Sequence, residues 1–276
     1  PLLHELSSHA DPRNPLGGDP VTHTLVLDRS YGLDDLFALT LNWYPLARKK
    51  KKTIRVSDTT SLVWNPSANE ATIEVPMHRD GGPSEIPDGF GFDTAFPNGV
   101  PAGEEREILE FALNVVRRLG GKVVTDTGHE LAPHQFMQPS LHVIAAYELA
   151  PKDLLEIVQK IVKESELVGE AEGFPYMISA PIFAHADLVV EATTLEEDIP
   201  AIEHVEWVKE GAALYTVAYR PDDPSSLVAE NPEKPQIREW REAYLGCSAV
   251  ARAIWDETGG VVLDYENFLV NPNELF

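Results

Sequence analysis

Histidines and carboxylates are the side chains through which this chain would do chemistry, and three histidines fall close together at His129, His134 and His142. Metal-binding protease helices carry His-Glu-x-x-His, because histidines four apart share one helical face. Here the run is His129-Glu-Leu-Ala-Pro-His134, so the second histidine arrives one position late and behind a proline that interrupts a regular helix. A metal site at His129, His134 and His142 would therefore be assembled from a loop and a strand. His23, alone in an apolar run, reads as a packed and hydrogen-bonded histidine.

A second concentration of chemistry lies in residues 79–103, where Asp88, Phe90, Phe92, Asp93 and Phe96 alternate with Gly89, Gly91 and Gly99. The segment is about twice the length at which unstructured connections become uncommon in compact domains. Two readings follow. Asp88, Phe90, Phe92, Asp93 and Phe96 form a lid or recognition loop over a ligand, or the phenylalanines anchor an ordered loop to the core. Asp126 and Asp264 each follow a short apolar run. Brought together about a pseudo-two-fold axis they would bind a cation or move protons; apart, they are turn-forming residues. Cys247 lies among Leu245, Ala249 and Val250 and reads as a core thiol without an evident base. Gly89-Phe-Gly91 lacks the third glycine of a dinucleotide fingerprint, and neither a P-loop nor a Gly-x-Ser-x-Gly elbow is present. No cofactor is expected.

The elements that would position these residues are clearest at 104–126 and 244–264. In the first stretch Ile108, Leu109, Phe111, Ala112, Val115, Val116 and Leu119 recur at helical spacing. Glu104 and Glu105 suit the helix start and Arg117 and Arg118 its end, followed by Gly120-Gly121 and the strand through Val123 and Val124. The second repeats the pattern with Trp240, Tyr244, Cys247, Val250, Ala251 and Ile254, then Gly259-Gly260 and Val261-Val262-Leu263. Upstream, His23-Thr-Leu-Val-Leu matches His142-Val-Ile-Ala-Ala, and an Asp follows each histidine eleven positions later, at Asp34 and Asp153. Strand-like runs fill the middle of each half: 53–63 and 71–75, then 176–183, 188–192 and 212–219. The order is β-α-β-β-α-β, twice. The expected fold is thus α+β, two tandem ferredoxin-like repeats with antiparallel sheets and helices on one face. An N-terminal arm would span 1–21, the first repeat 22–140 and the second 141–276.

With 276 residues, 43% hydrophobic and 24% charged, the chain can build ordinary globular cores. No apolar run reaches the ~20 residues of a membrane helix, and the first residues lack a signal-peptide pattern. One cysteine fits a reducing compartment, so a soluble, cytoplasmic protein is expected. Asp plus Glu number 45 against 22 Lys plus Arg, a formal charge of −23 that repels nucleic-acid backbones. Five of those basic residues are consecutive, Arg48 to Lys52, and read as a solvated loop or edge guard, or as a contact for an acidic surface. The acids concentrate between Glu191 and Glu210. In the absence of a catalytic motif, the leading expectation is a non-catalytic binding or regulatory module. Its ligand would be a basic protein or a small molecule, and a homodimer fits the same composition. The rivals are a small-molecule enzyme, with a site between the repeats or under 79–103, and a metal-binding protein.

Overall fold

The protein is described here by a computed structural model, which covers residues 19–80, 89–170 and 172–275. Asp88 and residues 1–18 of the expected arm lie outside the described residues. The fold is mixed α+β. Two compact units are present, Pro1–Phe37 with Leu46–Ala132, and Ala38–Pro45 with Pro133–Phe276, each built on an antiparallel sheet of seven strands. No helix among the described residues is long and apolar enough to cross a membrane.

In the first unit β1 (Pro20–Leu27) leads into α1 (Leu33–Trp43), whose residues from Ala38 onward belong to the second unit. Then come β2 (Arg48–Lys50), β3 (Thr53–Arg55), β4 (Ser61–Asn65) and β5 (Glu70–Pro76). Next are β6 (Arg79–Asp80), α2 (Phe92–Ala95), β7 (Val100–Pro101), α3 (Gly103–Leu119), β8 (Gly121–Val124) and β9 (Glu130–Leu131). The sheet order is β2-β3-β4-β5-β1-β8-β9. Alternation along β1 turns His23, Leu25 and Leu27 inward, beside Ala71, Ile73 and Val75 of β5. Helix α3 covers that face with Ile108, Leu109, Phe111, Ala112 and Val115, all at most 1% exposed. Each of its large apolar side chains contributes about 1.5–3 kcal/mol by burial.

The run at 53–63, expected as one strand, is instead the hairpin of β3 and β4. Ser57 Oγ accepts from the backbone N–H groups of Thr59 and Thr60, and this local hydrogen bonding turns the chain. The same turn has a further task. The hydroxyls of Ser57, Thr59 and Thr60 all donate to Glu104 at the start of α3.

The second unit contains β10 (Ser140–Ala145), α4 (Pro151–Gln159), β11 (Glu166–Leu167), β12 (Tyr176–Phe183), β13 (Ala186–Thr194), β14 (Ala213–Pro221), α5 (Lys234–Thr258), β15 (Val261–Asp264) and β16 (Leu269–Val270). Its sheet order is β11-β12-β13-β14-β10-β15-β16, the same sequence of chain positions as in the first sheet. Helix α5 packs across β10, β13, β14 and β15, and α4 packs on α5.

The two helix-glycine-glycine-strand turns share one close contact at the second glycine. Gly121 has φ +122°, and a Cβ there would lie 2.0 Å from the Val26 carbonyl oxygen. Gly260 has φ +88°, and its Cβ would lie 2.1 Å from the Ile144 carbonyl oxygen. Side chains are excluded at both. The match corrects the expected pairing of His23 with His142. Gly121 lies against Leu27 and Gly260 against Ala145, so counting back four residues pairs His23 with Leu141 and His142 with Thr24. A slip of one residue changes the face, so the two histidines stand on opposite faces of corresponding strands.

Candidate functional site

His23, Glu105 and Asp126 are the one group of three metal-ligating side chains that the fold brings together among the described residues, their ligand atoms within 4.8 Å of one another. Each comes from a different element. His23 is on the inward face of β1, Glu105 in the first turn of α3, and Asp126 just beyond β8. The backbone N–H of Asp126 donates to His23 Nδ1 at 3.1 Å, which leaves the ring proton on Nε2, 3.2 Å from Glu105 Oε1. Both His23 and Glu105 have fully buried side chains.

A fourth residue completes the group. Arg79 donates to Glu105 Oε1 through Nε at 2.8 Å and Nη2 at 2.5 Å, and to Asp126 Oδ1 through Nη2 at 2.8 Å. Glu105 also accepts from the His78 backbone N–H at 2.8 Å. Burial alone would raise the Glu105 carboxyl, but the donors from His23, Arg79 and His78 outweigh it and hold Glu105 below the usual carboxylate range. Burial likewise works against the Arg79 charge, and the two carboxylates overcome it. The Arg79 guanidinium thus stands where a cation bridging Glu105 and Asp126 would stand. It lies 4.4 Å from the centre of the Phe96 ring, against whose face it stacks. The arrangement neutralises the buried Glu105 carboxylate and ties the start of residues 79–103 to β1, α3 and Asp126 after β8.

That segment is closed at its neck, where β6 pairs with β7 (Arg79 opposite Pro101). Phe92 and Phe96 are buried, 5.9 Å apart between ring centres, and Phe90 is half-buried 5.9 Å from Phe92. Asp93 is half-buried in the first turn of α2.

The histidines expected at a metal site are placed differently. His129 is exposed, its Nδ1 3.2 Å from Thr127 Oγ1. His134 packs against Phe136 and Trp240, with ring centres 5.7 and 6.1 Å away. His142 bonds to Thr216 Oγ1 at 3.0 Å, and burial lowers its pKa despite the opposing pull of Asp264 and Glu197. Asp264 is a turn residue, accepting from the N–H groups of Glu266 and Phe268. The corresponding turn after β8 begins with Thr125, which makes the matching bonds to His129, so Asp126 and Asp264 are not at equivalent positions. Cys247 is fully buried, and burial pushes its thiol up, away from nucleophilic use.

A different feature is concave. Between β13 and β14 the second unit carries residues 195–212, with 3-10 turns at Pro200–Ile202 and Glu206–Glu210. The connection in the first unit, between β4 and β5, is only residues 66–69. Ile199, Ala201 and Ile202 pack on Ile144 and Leu263, on the sheet face that His142 also occupies. Beside them lies a groove of about 700 Å³. It is lined by apolar Leu195, Ile199, Leu214, Phe174 and Pro175 together with Glu196, Glu197, Glu266 and Tyr265. An adjoining recess shares Leu195, Glu196, Glu197 and Ile199 and adds Asp198 and Glu203. The groove escaped sequence reasoning because its lining comes from five separated stretches; the acidic run at 196–198 was the visible signal. No family model, curated protein or solved structure matches the chain.

Proposed function

We propose that the protein is a non-catalytic binding module that holds a basic, lysine- or arginine-bearing segment in the groove beside residues 195–212. The single observation carrying this reading is a groove lined by both apolar side chains and carboxylates. Ammonium or guanidinium groups would meet Glu196, Glu197 and Glu266 while their aliphatic stems lie on Leu195, Ile199 and Leu214. The scaffold reading that goes with it is a duplicated ferredoxin-like unit. Its support is the central strand orders β4-β5-β1-β8 and β13-β14-β10-β15, and the matching glycine doublets. Fold alone selects no function, so the argument rests on the groove.

The rival reading, an enzyme beneath residues 79–103, has the His23–Glu105–Arg79–Asp126 group in its favour. Against it, Arg79 already fills the cation position, and the Arg79 and Asp126 side chains are only 18% and 24% exposed.

The test is calorimetric titration of the full chain with a short lysine-rich peptide. Binding is expected at low salt, with loss as salt is raised. Changing Glu196 and Glu197 together to Gln should weaken it about tenfold, since exposed pairs contribute about 0.2–1 kcal/mol each. Heat of binding unaltered by that change, or no binding, would contradict the reading.

A further inference from the structure

We infer that the groove's occupant is the lysine-rich hairpin of a second copy of this chain, an inference that rests on the binding reading above. The hairpin consists of β2 and β3, joined through Lys51 at φ 56°. Arg48, Lys49, Lys50, Lys51 and Lys52 are all exposed. Lys49 is already engaged, paired with Asp34 and 5.1 Å from the centre of the Phe37 ring. The side chains of Arg48, Lys50, Lys51 and Lys52 have no ion-pair partner among the described residues. In a chain with 45 acidic residues against 22 basic ones, these four cations form a concentrated patch of the opposite sign.

The complementary set is on the groove. Glu196, Glu197, Asp198 and Glu203 have no ion-pair partner among the described residues either, and they line the groove and its adjoining recess. Beside the hairpin, Leu46 is 86% exposed, the most exposed large apolar side chain among the described residues. It offers an apolar contact of the kind the groove residues Leu195 and Ile199 can accept. Among the described residues β2 is moreover the outer strand of its sheet, so the hairpin offers an edge. Such a contact joins different surfaces on the two copies. It is heterologous, and it propagates into chains or closes into rings instead of stopping at a two-fold dimer.

Sedimentation velocity on the full chain tests this. At low salt the average mass should rise with concentration above the 30.5 kDa of one copy, and return to it at about 0.5 M salt. Two variants separate the surfaces: K50Q/K51Q/K52Q on the hairpin and E196Q/E197Q on the groove, their folding checked by circular dichroism. Each alone should self-associate at least about tenfold more weakly. Mixed in equal amounts they should form a discrete dimer, because each supplies the surface the other lacks. A wild-type chain monomeric at every concentration, variants that associate like it, or a mixture that stays monomeric would overturn the inference. If the lysine-rich peptide still binds while the chain stays monomeric, the binding reading stands and only the second copy is excluded. If the peptide also fails, both fall.

Discussion

Glu105 is buried at 0% exposure with its charge intact, and the side chains that allow this come from far along the chain: Arg79 is 26 residues away and His23 is 82. Removing one partner of such a group leaves the others uncompensated. Glu105→Gln should cost about 3 kcal/mol or more in urea unfolding, whereas Glu203→Gln, on an exposed residue, should stay within about 0.5 kcal/mol. Because the folded-state pKa of Glu105 is lowered, its contribution is present above the unfolded carboxylate value of about 4.3 and is lost as pH falls through the folded value. Unfolding measured from neutral pH down past that point should show the wild type losing more stability than Glu105→Gln. A parallel decline would mean that Glu105 is not ionised in the fold. The anomaly was visible beforehand: Glu105 shares its helical face with Ile108, Leu109 and Ala112, where a charge demands a partner. Its identity was not, since nothing local connects positions 23, 79, 105 and 126.

At the scale of elements, local pattern carried well where periodicity and glycine chemistry agree. The runs at 176–183, 188–192 and 212–219 fall on β12, β13 and β14, and the helical spacing in the 104–119 stretch on α3. The glycine doublets were legible as helix stops, but not the reason for Gly121 and Gly260, which is close approach to a neighbouring strand. Alanine at either of these positions should destabilise severely and to a similar extent, about 3 kcal/mol or more, as both meet backbone oxygen and carry positive φ. Gly128→Ala, with nothing within 4 Å of its Cβ and φ +85°, should cost only the conformational strain of about 1–2 kcal/mol. Thermal melts of the three variants decide this; equal losses in all would show that crowding is not the cause. Strand registers were harder to read, because His23 and His142 look equivalent in a gapless match and differ by one residue in the sheets. The two units differ most in their connections. The first unit lengthens the link from β5 to α3, the second the link from β13 to β14, and surface connections are where binding residues concentrate.

For the whole molecule, a charge of −23 sets the long-range field, but the position of its acids decides what that field can hold. The carboxylates at 196–198 line a groove and its adjoining recess together with apolar side chains. The measurement that tests the central claim most directly is an amide NMR titration of the full chain with the lysine-rich peptide at low salt. Saturable shifts should gather at residues 193–199 and 265–267, on either side of the groove, and vanish in the Glu196→Gln, Glu197→Gln protein. Shifts centred instead on residues 89–103, or scattered over the acidic surface without saturation, would contradict the assignment of the groove as the binding site.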